Sequence, residues 1–475
     1  MRNRKKNIVL EKLRVDDYAA EGKCLSKVDG KVIFIERVVP GDVVDVRITK
    51  NKKDWAEGYP IQFHSYAPNR LEPVCRHFGV CGGCQWQMLP YEQQLEYKHR
   101  QVAETLKRIG KVTLPTIQPI AGANETLRYR NKIEYTFGNK RYLQTHELND
   151  PTISSSDNVA GFHARGFFDK IVDIDTCHLQ AEPTNEIRLA VKRLAQQEGW
   201  TFYDIKEHVG FLRNMQIRLC TTGELMVNVV IAENDKKKIN KLMEFLVKEF
   251  PSITTLLYTI NTKWNDSIFD LTPVVYKGKG FVIETLTEKN SGKTFQFKIG
   301  PTSFFQTNTK QAEKLYQITH DFAECNGTQT VYDLYCGTGS IGIFLSKQVK
   351  NLVGVELIDA AIEDAKENAK LNNIDSASFY AGDVIKICND DFFAKHGRPD
   401  VIITDPPRAG MHQDLIDKLI EINAPTIVYV SCNPSTQARD IQLLNDAYEV
   451  TKIQPVDMFP HTLHIENVIQ LKRRN

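Results

Sequence analysis

One cysteine stands out in the sequence as a candidate nucleophile. Cys432 lies in Ser431-Cys432-Asn433-Pro434, directly after an apolar run that predicts a buried β-strand. The end of a strand leaves a side chain accessible, and a cysteine thiolate is a strong nucleophile. A buried packing residue is the commoner fate of a cysteine, but the polar flanks argue against it here. We therefore interpret Cys432 as a covalent nucleophile.

Charged residues that could assist this thiolate lie near two other predicted strands. Asp405-Pro-Pro-Arg408 follows the strand before Cys432, and Glu466 lies in the last predicted strand. A thiolate can add to one carbon of a conjugated ring and so make the neighbouring carbon nucleophilic enough to accept a methyl group. A general base must then remove the hydrogen from the methylated carbon. Glu466 could be that base, although a solvated strand residue is the alternative. Asp405 could orient the ring, and Arg408 could offset its negative charge.

A glycine turn upstream indicates the site of the methyl donor. Asp333-Leu-Tyr-Cys-Gly-Thr-Gly-Ser340 predicts a strand, a tight turn and the start of a helix. It matches neither the dinucleotide fingerprint nor a P-loop, which favours a cofactor without pyrophosphate such as S-adenosylmethionine. Glu356 ends the second strand, where it could bind the ribose hydroxyls, and Asp383 ends the third, near the adenine edge. Such acids are often only helix caps, but their recurrence at successive strand ends favours a cofactor site.

The C-terminal third of the chain alternates strand and helix patterns, which predicts an α/β fold with a parallel sheet. Residues 449–459 and 464–472 then predict two further antiparallel strands. The loops after parallel strands gather at one edge, where such sheets bind ligands. The predicted parallel strands are at 330–336, 351–357, 376–384, 400–407 and 426–434, with helices from 341, at 359–374 and at 413–422.

Length and composition suggest three domains in a cytoplasmic protein. The 475 residues are 41% hydrophobic and carry a formal net charge of +2, which argues against a uniformly basic nucleic-acid coat. We find neither a signal peptide nor an apolar run long enough for a membrane span. Short alternating runs over 8–63 predict an N-terminal OB-like β-barrel. The predicted domains are 1–64 (barrel), 65–298 (central α+β) and 299–475 (α/β).

Four cysteines of the central region could bind a metal. Cys75, Cys81 and Cys84 lie close together, and Cys177 could be a fourth ligand. Four thiolates suit structural zinc or an iron–sulfur cluster, and their spacing alone does not choose between the two. His77 and His178 would be poor substitutes. The remaining cysteines are interpreted as packing residues: Cys24, Cys220, Cys325, Cys336 and Cys388.

Three basic clusters could contact RNA. Positive charge beside aromatic rings is typical of single-stranded RNA binding, although a charge run is more often a solvated face. A target base must leave its stack to reach both Cys432 and a methyl donor, so we expect base flipping. The basic residues are Arg2, Arg4, Lys5, Lys6, those of 47–53, Arg128, Arg130 and Lys132, and their aromatic neighbours are Trp55, Tyr59, Tyr129 and Tyr135.

The segments DLYCGTGS, DPPRAG, SCNP and HIEN together resemble the RNA uracil-5-methyltransferases, the RumA and TrmA group. Phe305-Gln306 resembles a further segment of this family. The resemblance implies that Cys432 is the nucleophile and Glu466 the base. Ser340 stands where some relatives carry Asn, which weakens any contact there. The resemblance further implies cofactor contacts at Gln306, Tyr335, Glu356, Asp383 and Asp405. It also implies a [4Fe-4S] cluster at Cys75, Cys81, Cys84 and Cys177.

The N-terminal segment is similar to a TRAM domain, an RNA-binding module. Residues 30–44 (GKVIFIERVVPGDVV) carry this similarity. The transfer-RNA branch of the family generally lacks the domain, so its presence implies the ribosomal-RNA branch. We therefore expect a 23S (large-subunit) ribosomal RNA uracil-5-methyltransferase that works as a monomer.

Three alternatives remain from the sequence. A transfer-RNA uracil-5-methyltransferase would share the same site. A methyltransferase acting on an exocyclic amine or on protein would use the Pro-Pro motif but would need no cysteine nucleophile. A non-catalytic RNA-binding assembly factor would bind RNA equally well after Cys432→Ala. The combination of nucleophile, base and cofactor loop favours a uracil-5-methyltransferase over the last two alternatives.

Overall fold

The computed structural model describes residues 8–474, so the predicted basic cluster at Arg2, Arg4, Lys5 and Lys6 lies outside the described residues. Within 8–474, no helix is long and apolar enough to cross a membrane.

The N-terminal module is a β-sheet, as the sequence predicts. Alternation along the chain builds it: on the fifth strand Val44 and Val46 are buried, whereas Asp45 and Arg47 point away from the core. In space the strands run in the order β1-β5-β6-β4-β3-β2. From residue 8 onward they are β1 (Val9–Arg14), β2 (Asp17–Tyr18), β3 (Cys24–Val28), β4 (Lys31–Ile35), β5 (Val43–Asn51) and β6 (Trp55–Ser65).

A long helix follows the predicted cysteine ligands Cys75, Cys81 and Cys84. This helix, α1 (Tyr91–Thr105), is extended by a π-helical turn at Leu106–Gly110. Its buried positions recur every three or four residues, which is the spacing of one helix face. Two of them, Gln94 and Lys98, are polar, so this face buries hydrogen-bonding groups as well as apolar surface.

The central region contains a mixed sheet with two helices on one face. Tyr135 and Ile217 of the sheet pack against Ile187 and Leu242 of these helices. The strand order is β13-β12-β11-β10-β7-β8-β9. The elements are β7 (Lys132–Gly138), β8 (Val159–His163), β9 (Ile171–Asp173), α2 (Thr184–Gln197), β10 (Leu212–Leu219), β11 (Leu225–Ile231), α3 (Lys236–Glu249), β12 (Thr255–Ile260) and β13 (Val274–Lys277).

A separate hairpin leads into the C-terminal region. Its strands, β14 (Val282–Thr287) and β15 (Thr294–Ile299), pair antiparallel. Phe295 and Phe297 of β15 are fully buried in the core of the C-terminal region. The hairpin therefore packs with the α/β sheet that follows it in the chain.

The C-terminal region is an α/β domain, which confirms the predicted fold class. Its strands follow the order β18-β17-β16-β19-β20-β22-β21, with β16–β20 parallel and β22 antiparallel to both neighbours. Its elements are α4 (Thr309–Ala323), β16 (Thr330–Leu334), α5 (Ser340–Leu345), β17 (Asn351–Glu356), α6 (Asp359–Leu371), β18 (Ala377–Ala381), α7 (Val384–Ile387), α8 (Asp390–His396), β19 (Val401–Thr404), α9 (Gln413–Ile422), β20 (Thr426–Ser431), α10 (Pro434–Leu444), β21 (Tyr448–Val456) and β22 (Glu466–Arg473). Short 3₁₀ turns lie at Ala20–Gly22, Thr145–Glu147 and Ser346–Gln348.

The predicted strands end later than the observed ones. The segment predicted to extend to residue 336 ends at Leu334, because Tyr335 adopts a left-handed backbone conformation with φ of 61°. The segment predicted to reach residue 434 ends at Ser431, and α10 begins at Pro434 with Asn433 as its cap. In both places the residues beyond the strand are those expected to do chemistry.

Candidate active site

The residues predicted to bind the cofactor and the substrate follow successive parallel strands. Tyr335 follows β16, Glu356 ends β17, and Asp383 lies two residues beyond β18. Asp405 follows β19 and Cys432 follows β20. Because these strands are parallel neighbours, the structure brings all five residues to one edge of the sheet.

The glycine turn after β16 is tightly built. Gly337 and Gly339 both have positive φ, at 53° and 76°, which glycine adopts without the strain that a side chain would add. The left-handed conformation of Tyr335 is uncommon for a residue with a side chain, and such strain concentrates at functional sites. The Glu356 carboxylate accepts hydrogen bonds from the backbone N–H groups of Gly337 (3.2 Å) and Ile358 (3.1 Å).

Asp383 is a helix cap, as the alternative interpretation allowed. Its carboxylate accepts a hydrogen bond of 3.0 Å from the Ile385 N–H at the start of α7. Large apolar side chains near Glu356 and Asp383 in the chain are nonetheless exposed: Leu357 by 64%, Ile358 by 57% and Ile385 by 37%. Leu357, Ile358 and Ile385 were not predicted as site residues, although apolar side chains beside an acid predicted to bind ribose are a signal for an aromatic ligand.

Gln306 lies between the hairpin and α4. Its backbone carbonyl accepts a hydrogen bond of 2.9 Å from the Asn131 side chain, which comes from the central region. The preceding Phe305 is buried against Phe297 of β15. Gln306 therefore occupies a fixed position, where the central and C-terminal regions meet.

Cys432 and Glu466 face each other across two antiparallel strands. Ser431 of β20 pairs with Asn467 of β22, so the next position in this register sets Cys432 opposite Glu466. Cys432 is half-buried, whereas Glu466 is only 7% exposed. The predicted nucleophile and base therefore approach the same space from adjacent strands.

The electrostatics of this space favour protonated acids. Burial raises the pKa of Asp405 to about 7. Burial, and then the nearby Asp405, raise the pKa of Glu466 well above its usual range. Burial and these two carboxyl groups raise the pKa of the Cys432 thiol to about 11, and Arg408 opposes the rise. A bound cation would favour the ionised forms of all three acids.

A fourth acid lies beneath the glycine turn. Asp333 on β16 is 1% exposed, and burial raises its pKa to about 7. Its carboxylate accepts a hydrogen bond of 2.9 Å from the N–H of Gly342 on α5. Because it is enclosed, we interpret Asp333 as a support for the turn rather than as a ligand-binding group.

The four predicted metal ligands lie in one region. Burial raises the pKa of Cys84 to about 12, and the nearby thiols of Cys177, Cys81 and Cys75 add to the rise. Across residues 8–474, however, no group of three or more Cys, His, Asp or Glu side chains has an arrangement that could hold a metal ion. The iron–sulfur cluster therefore stays a prediction.

His77, the alternative ligand, has other partners. The Asp175 N–H donates to its Nε2 at 3.1 Å, and its Nδ1 lies 3.5 Å from the Gln144 side-chain amide. Both ring nitrogens are therefore engaged. The remaining cysteines fit the packing interpretation, because the described structure buries Cys24, Cys220, Cys336 and Cys388 and half-buries Cys325.

The predicted RNA contacts are only partly at the surface. Tyr135 is fully buried and Tyr129 is 7% exposed, so the interpretation of these two rings as RNA-stacking residues is wrong; both pack in the central core. Trp55 and Tyr59 of β6 retain exposed surface, and the Lys50 amine lies 4.6 Å from the Trp55 ring centre. A second basic group lines a cavity of about 200 Å³ between the central region and α4, formed by Arg128, Arg130, Lys310 and Lys314.

Two family models match the chain. Residues 273–474 match the tRNA (Uracil-5-)-methyltransferase family, and residues 11–61 match the TRAM domain. These matches cover the site at the sheet edge and the N-terminal β-module, respectively.

Whole-chain relatives agree with this assignment. An uncharacterized RNA methyltransferase of Bacteroides thetaiotaomicron is 50% identical over 459 residues, which is 96% of this chain and all of that protein. One of Porphyromonas gingivalis is 45% identical, over 97% of this chain and 99% of that protein. The Pyrococcus abyssi tRNA (uracil-54, C5)-methyltransferase, solved with S-adenosyl-L-homocysteine, is 27% identical with a TM-score of 0.72, covering 97% of this chain and 100% of that one. The chain therefore belongs to the S-adenosylmethionine-dependent RNA uracil-5-methyltransferases, the RumA and TrmA type, with an N-terminal TRAM domain.

Proposed function

We propose that this enzyme methylates carbon 5 of a uridine in 23S (large-subunit) ribosomal RNA through a covalent bond between Cys432 and carbon 6. The opposed positions of Cys432 and Glu466, beside Asp405 and Arg408, carry the proposed reaction. The choice of ribosomal RNA rests on the resemblance of the N-terminal barrel and the four cysteines to the ribosomal-RNA branch of the family. A nucleophile, a base and a cation at the cofactor edge are what this reaction needs.

The first step is addition of the Cys432 thiolate to carbon 6. The carbon 5–carbon 6 double bond opens, and negative charge spreads over carbon 5 and the ring oxygen. Arg408 offsets this charge, and Asp405 in its protonated form donates a hydrogen bond to the ring. Carbon 5 then attacks the sulfonium methyl group, and S-adenosylhomocysteine leaves.

The second step restores the aromatic ring. The Glu466 carboxylate takes the hydrogen from carbon 5 as a proton, and that bond pair forms the carbon 5–carbon 6 double bond. The carbon 6–sulfur bond breaks, and its pair returns to Cys432 as a thiolate. Because the site favours protonated acids, positive charge from the bound sulfonium donor supports ionisation of Cys432 before it adds to the ring. After methyl transfer the donor sulfur is neutral, so Arg408 is the cation that favours the Glu466 carboxylate in the second step.

Binding of S-adenosylmethionine is assigned to the loops after β16, β17 and β18. Glu356 accepts from the ribose hydroxyls, and Asp383 contacts the adenine edge. Leu357 and Ile358 supply apolar surface for the adenine ring, which is supported by their exposure. Gln306, Tyr335 and Asp405 complete the contacts around the methionine part.

Transfer RNA is the second candidate substrate. The Pyrococcus abyssi enzyme acts on transfer RNA, and 97% of this chain aligns with it, so the N-terminal barrel alone does not exclude this substrate. Purified enzyme and labelled S-adenosylmethionine should be incubated with 23S ribosomal RNA and with transfer RNA, each transcribed without modifications. We expect 5-methyluridine in the ribosomal RNA only. Methylation of the transfer RNA alone would contradict the choice of substrate, and label outside carbon 5 of uridine would contradict the reaction.

A separate binding assay tests how the RNA is held. We propose that the enzyme acts as a monomer and that the target uridine leaves its stack to enter the site. The fluorescence of 2-aminopurine placed next to the target should rise on binding, because an unstacked neighbour quenches it less. Unchanged fluorescence at saturation would contradict base flipping.

We also propose that Cys75, Cys81, Cys84 and Cys177 bind a [4Fe-4S] cluster. The four thiols carry no disulfide in the described structure, and Cys81 and Cys177 pack against the same small apolar cluster, which supports a shared site although their side chains are not arranged around a metal ion there. A bound cluster would cross-link the segments of this irregular region and so stabilise it. Anaerobic reconstitution should give four irons and four sulfides per chain (the composition of one cluster). Cys325→Ala, which removes a cysteine outside the four, should bind the same amount. Stoichiometric zinc instead would contradict the assignment.

A further inference from the structure

The loop that leads into Glu466 is held by distant parts of the chain. The segment Asp457–Ile465, here called the base loop, joins β21 to β22 and ends directly before Glu466. Side chains of α1 and α4, and backbone groups just after Cys84, form hydrogen bonds to it. The residues that lead into Glu466 are therefore held by elements outside its own sheet.

A buried ion pair fixes the start of the base loop. The Lys98 amine of α1 lies 2.6 Å from the Asp457 carboxylate, and both side chains are fully buried. Lys98 also donates to the Phe459 carbonyl at 3.3 Å, and the Tyr91 hydroxyl donates to Asp457 at 2.8 Å. Removing one partner would leave the other charge buried without compensation, so the pair holds the loop against α1.

A glutamine on the same face of α1 fixes the middle of the base loop. The Gln94 side-chain oxygen accepts from the His461 N–H at 2.9 Å. Its amide nitrogen lies 3.2 Å from His461 Nδ1 and also donates to the Trp86 and Leu89 carbonyls. His461 has a φ of 65°, a left-handed conformation that persists only where the surroundings impose it.

The cysteine region reaches the base loop at the same residue. The N–H groups of Gln85 and Trp86, which directly follow Cys84, donate to the His461 carbonyl at 2.8 and 3.1 Å. On the other side, Gln311 of α4 donates to the Asp457 carbonyl at 2.7 Å. The base loop is thus clamped between two elements that lie far apart in the sequence.

We propose that Gln94 and Lys98 are positioning residues for proton abstraction. They hold the base loop so that the Glu466 carboxylate reaches the hydrogen on carbon 5 of the methylated intermediate. This inference rests on the proposed function. In the step concerned, the proton moves to Glu466, the carbon–hydrogen pair forms the carbon 5–carbon 6 double bond, and the carbon 6–sulfur pair returns to Cys432.

The earlier steps depend on a different support. Cys432 lies between β20 and α10, and the Asn433 side chain holds this turn by capping α10 and donating to the Arg408 carbonyl at 3.0 Å. A displaced base loop should therefore slow elimination while thiolate addition and methyl transfer continue. That separation gives the inference a signature that a general loss of stability would not produce.

The test compares two rates in Gln94→Met and Lys98→Met. One is turnover on uridine RNA. The other is formation of the covalent adduct on 5-fluorouridine RNA. This reaction stops before elimination, because a base can remove hydrogen from carbon 5 as a proton but cannot remove fluorine as a cation. We expect turnover to fall about 10²-fold, as for small misplacements of catalytic groups, while adduct formation changes less than about threefold. Covalent methylated enzyme should also accumulate on uridine RNA.

Three controls make the result decisive. Arg213→Met also removes a buried cation that pairs with an aspartate, but far from the base loop, and should leave the ratio of the two rates unchanged. Glu466→Gln should reproduce the signature in full. Cys432→Ala should abolish the adduct, and an adduct that persisted would refute the proposed function rather than this inference.

A parallel loss of both rates in the two variants, with folding confirmed by circular dichroism, would overturn the positioning role. So would unchanged turnover. If either variant fails to fold, Tyr91→Phe serves instead, since it removes only the hydroxyl that donates to Asp457. It should show the same ratio change with a smaller amplitude, and an unchanged ratio there would also count against the inference.

Discussion

The carboxyl edge of the sheet and the base loop are built in different ways. At the edge, each functional residue follows its own strand, and neighbouring strands bring the residues together. Around the base loop, contacts join residues that are remote in sequence: Lys98 and Asp457 are separated by 359 positions. We infer that the edge determines which chemistry is available, whereas the base loop determines whether Glu466 can carry out the last step.

The largest effect is expected at the edge. Cys432→Ala should lower methyl transfer by about 10⁶-fold, the scale of losing a covalent nucleophile, because carbon 5 stays unactivated. Steady-state incorporation of labelled methyl groups measures it. Cys325→Ala, at a half-buried cysteine remote from the site, should keep its activity. Residual activity within about tenfold of the parent enzyme would break the assignment of the nucleophile.

The residue shared by both regions comes next. Glu466→Gln should lower turnover by about 10²- to 10⁴-fold, the usual contribution of a general base. The covalent intermediate should accumulate on uridine RNA and appear as a slowly migrating band in denaturing gels. Glu449→Gln on the exposed face of β21 is the matched control. Lost turnover without accumulation would move Glu466 to an earlier step.

The free energy of unfolding tests whether the ion pair between Lys98 and Asp457 holds the base loop. Lys98→Met should reduce the free energy of unfolding by about 3–5 kcal/mol, because Asp457 is left charged in the interior. The double variant Lys98→Met, Asp457→Asn removes both charges and should recover part of the loss. Urea unfolding followed by circular dichroism measures both. A double variant as unstable as the single one would show that packing, rather than the ion pair, holds the loop.

A smaller effect is expected beneath the glycine turn. The pKa of Asp333 is about 7 in the folded chain, above the value near 4 of an unfolded aspartate, so its contribution to stability falls as pH rises from about 4 to 7. Asp333→Asn should therefore gain stability relative to the parent at pH 8 and match it near pH 4. The difference in melting temperature between the two pH values measures this.

An acid at the far end of the sheet should behave in the opposite way. Burial raises the pKa of Glu324, but hydrogen bonds from Lys452 and Lys472 outweigh burial and lower the pKa to about 2. Its contribution is present above about pH 4 and is lost as pH falls toward 2. Glu324→Gln should therefore be less stable than the parent at pH 7. Equal pH dependence in the two variants would contradict the contrast.

The edge could be predicted from sequence because its signals are local. Each functional residue there directly follows an apolar strand pattern, and parallel strands bring their carboxyl ends together. The predicted parallel strands end one to three residues too late, since apolar patterning does not register the strained conformation of Tyr335 or the cap at Asn433.

The base loop could not be predicted in this way. Gln94 and Lys98 are polar residues on the buried face of α1. Nothing near them in sequence identifies Asp457 or His461 as their partners. Tyr135 shows that neighbours in sequence need not share a surface. It lies beside a basic cluster in the sequence, but the alternation of its strand places it in the core. Local proximity predicts a site only where the elements between the residues are regular.

A covalent bond between Cys432 and the target ring can be trapped with 5-fluorouridine RNA. The enzyme is incubated with this RNA and S-adenosylmethionine, digested, and analysed by mass spectrometry. We expect one cross-linked peptide, carrying a methylated fluorouridine on Cys432. A cross-link on another cysteine, or none under conditions where uridine RNA is methylated, would contradict it.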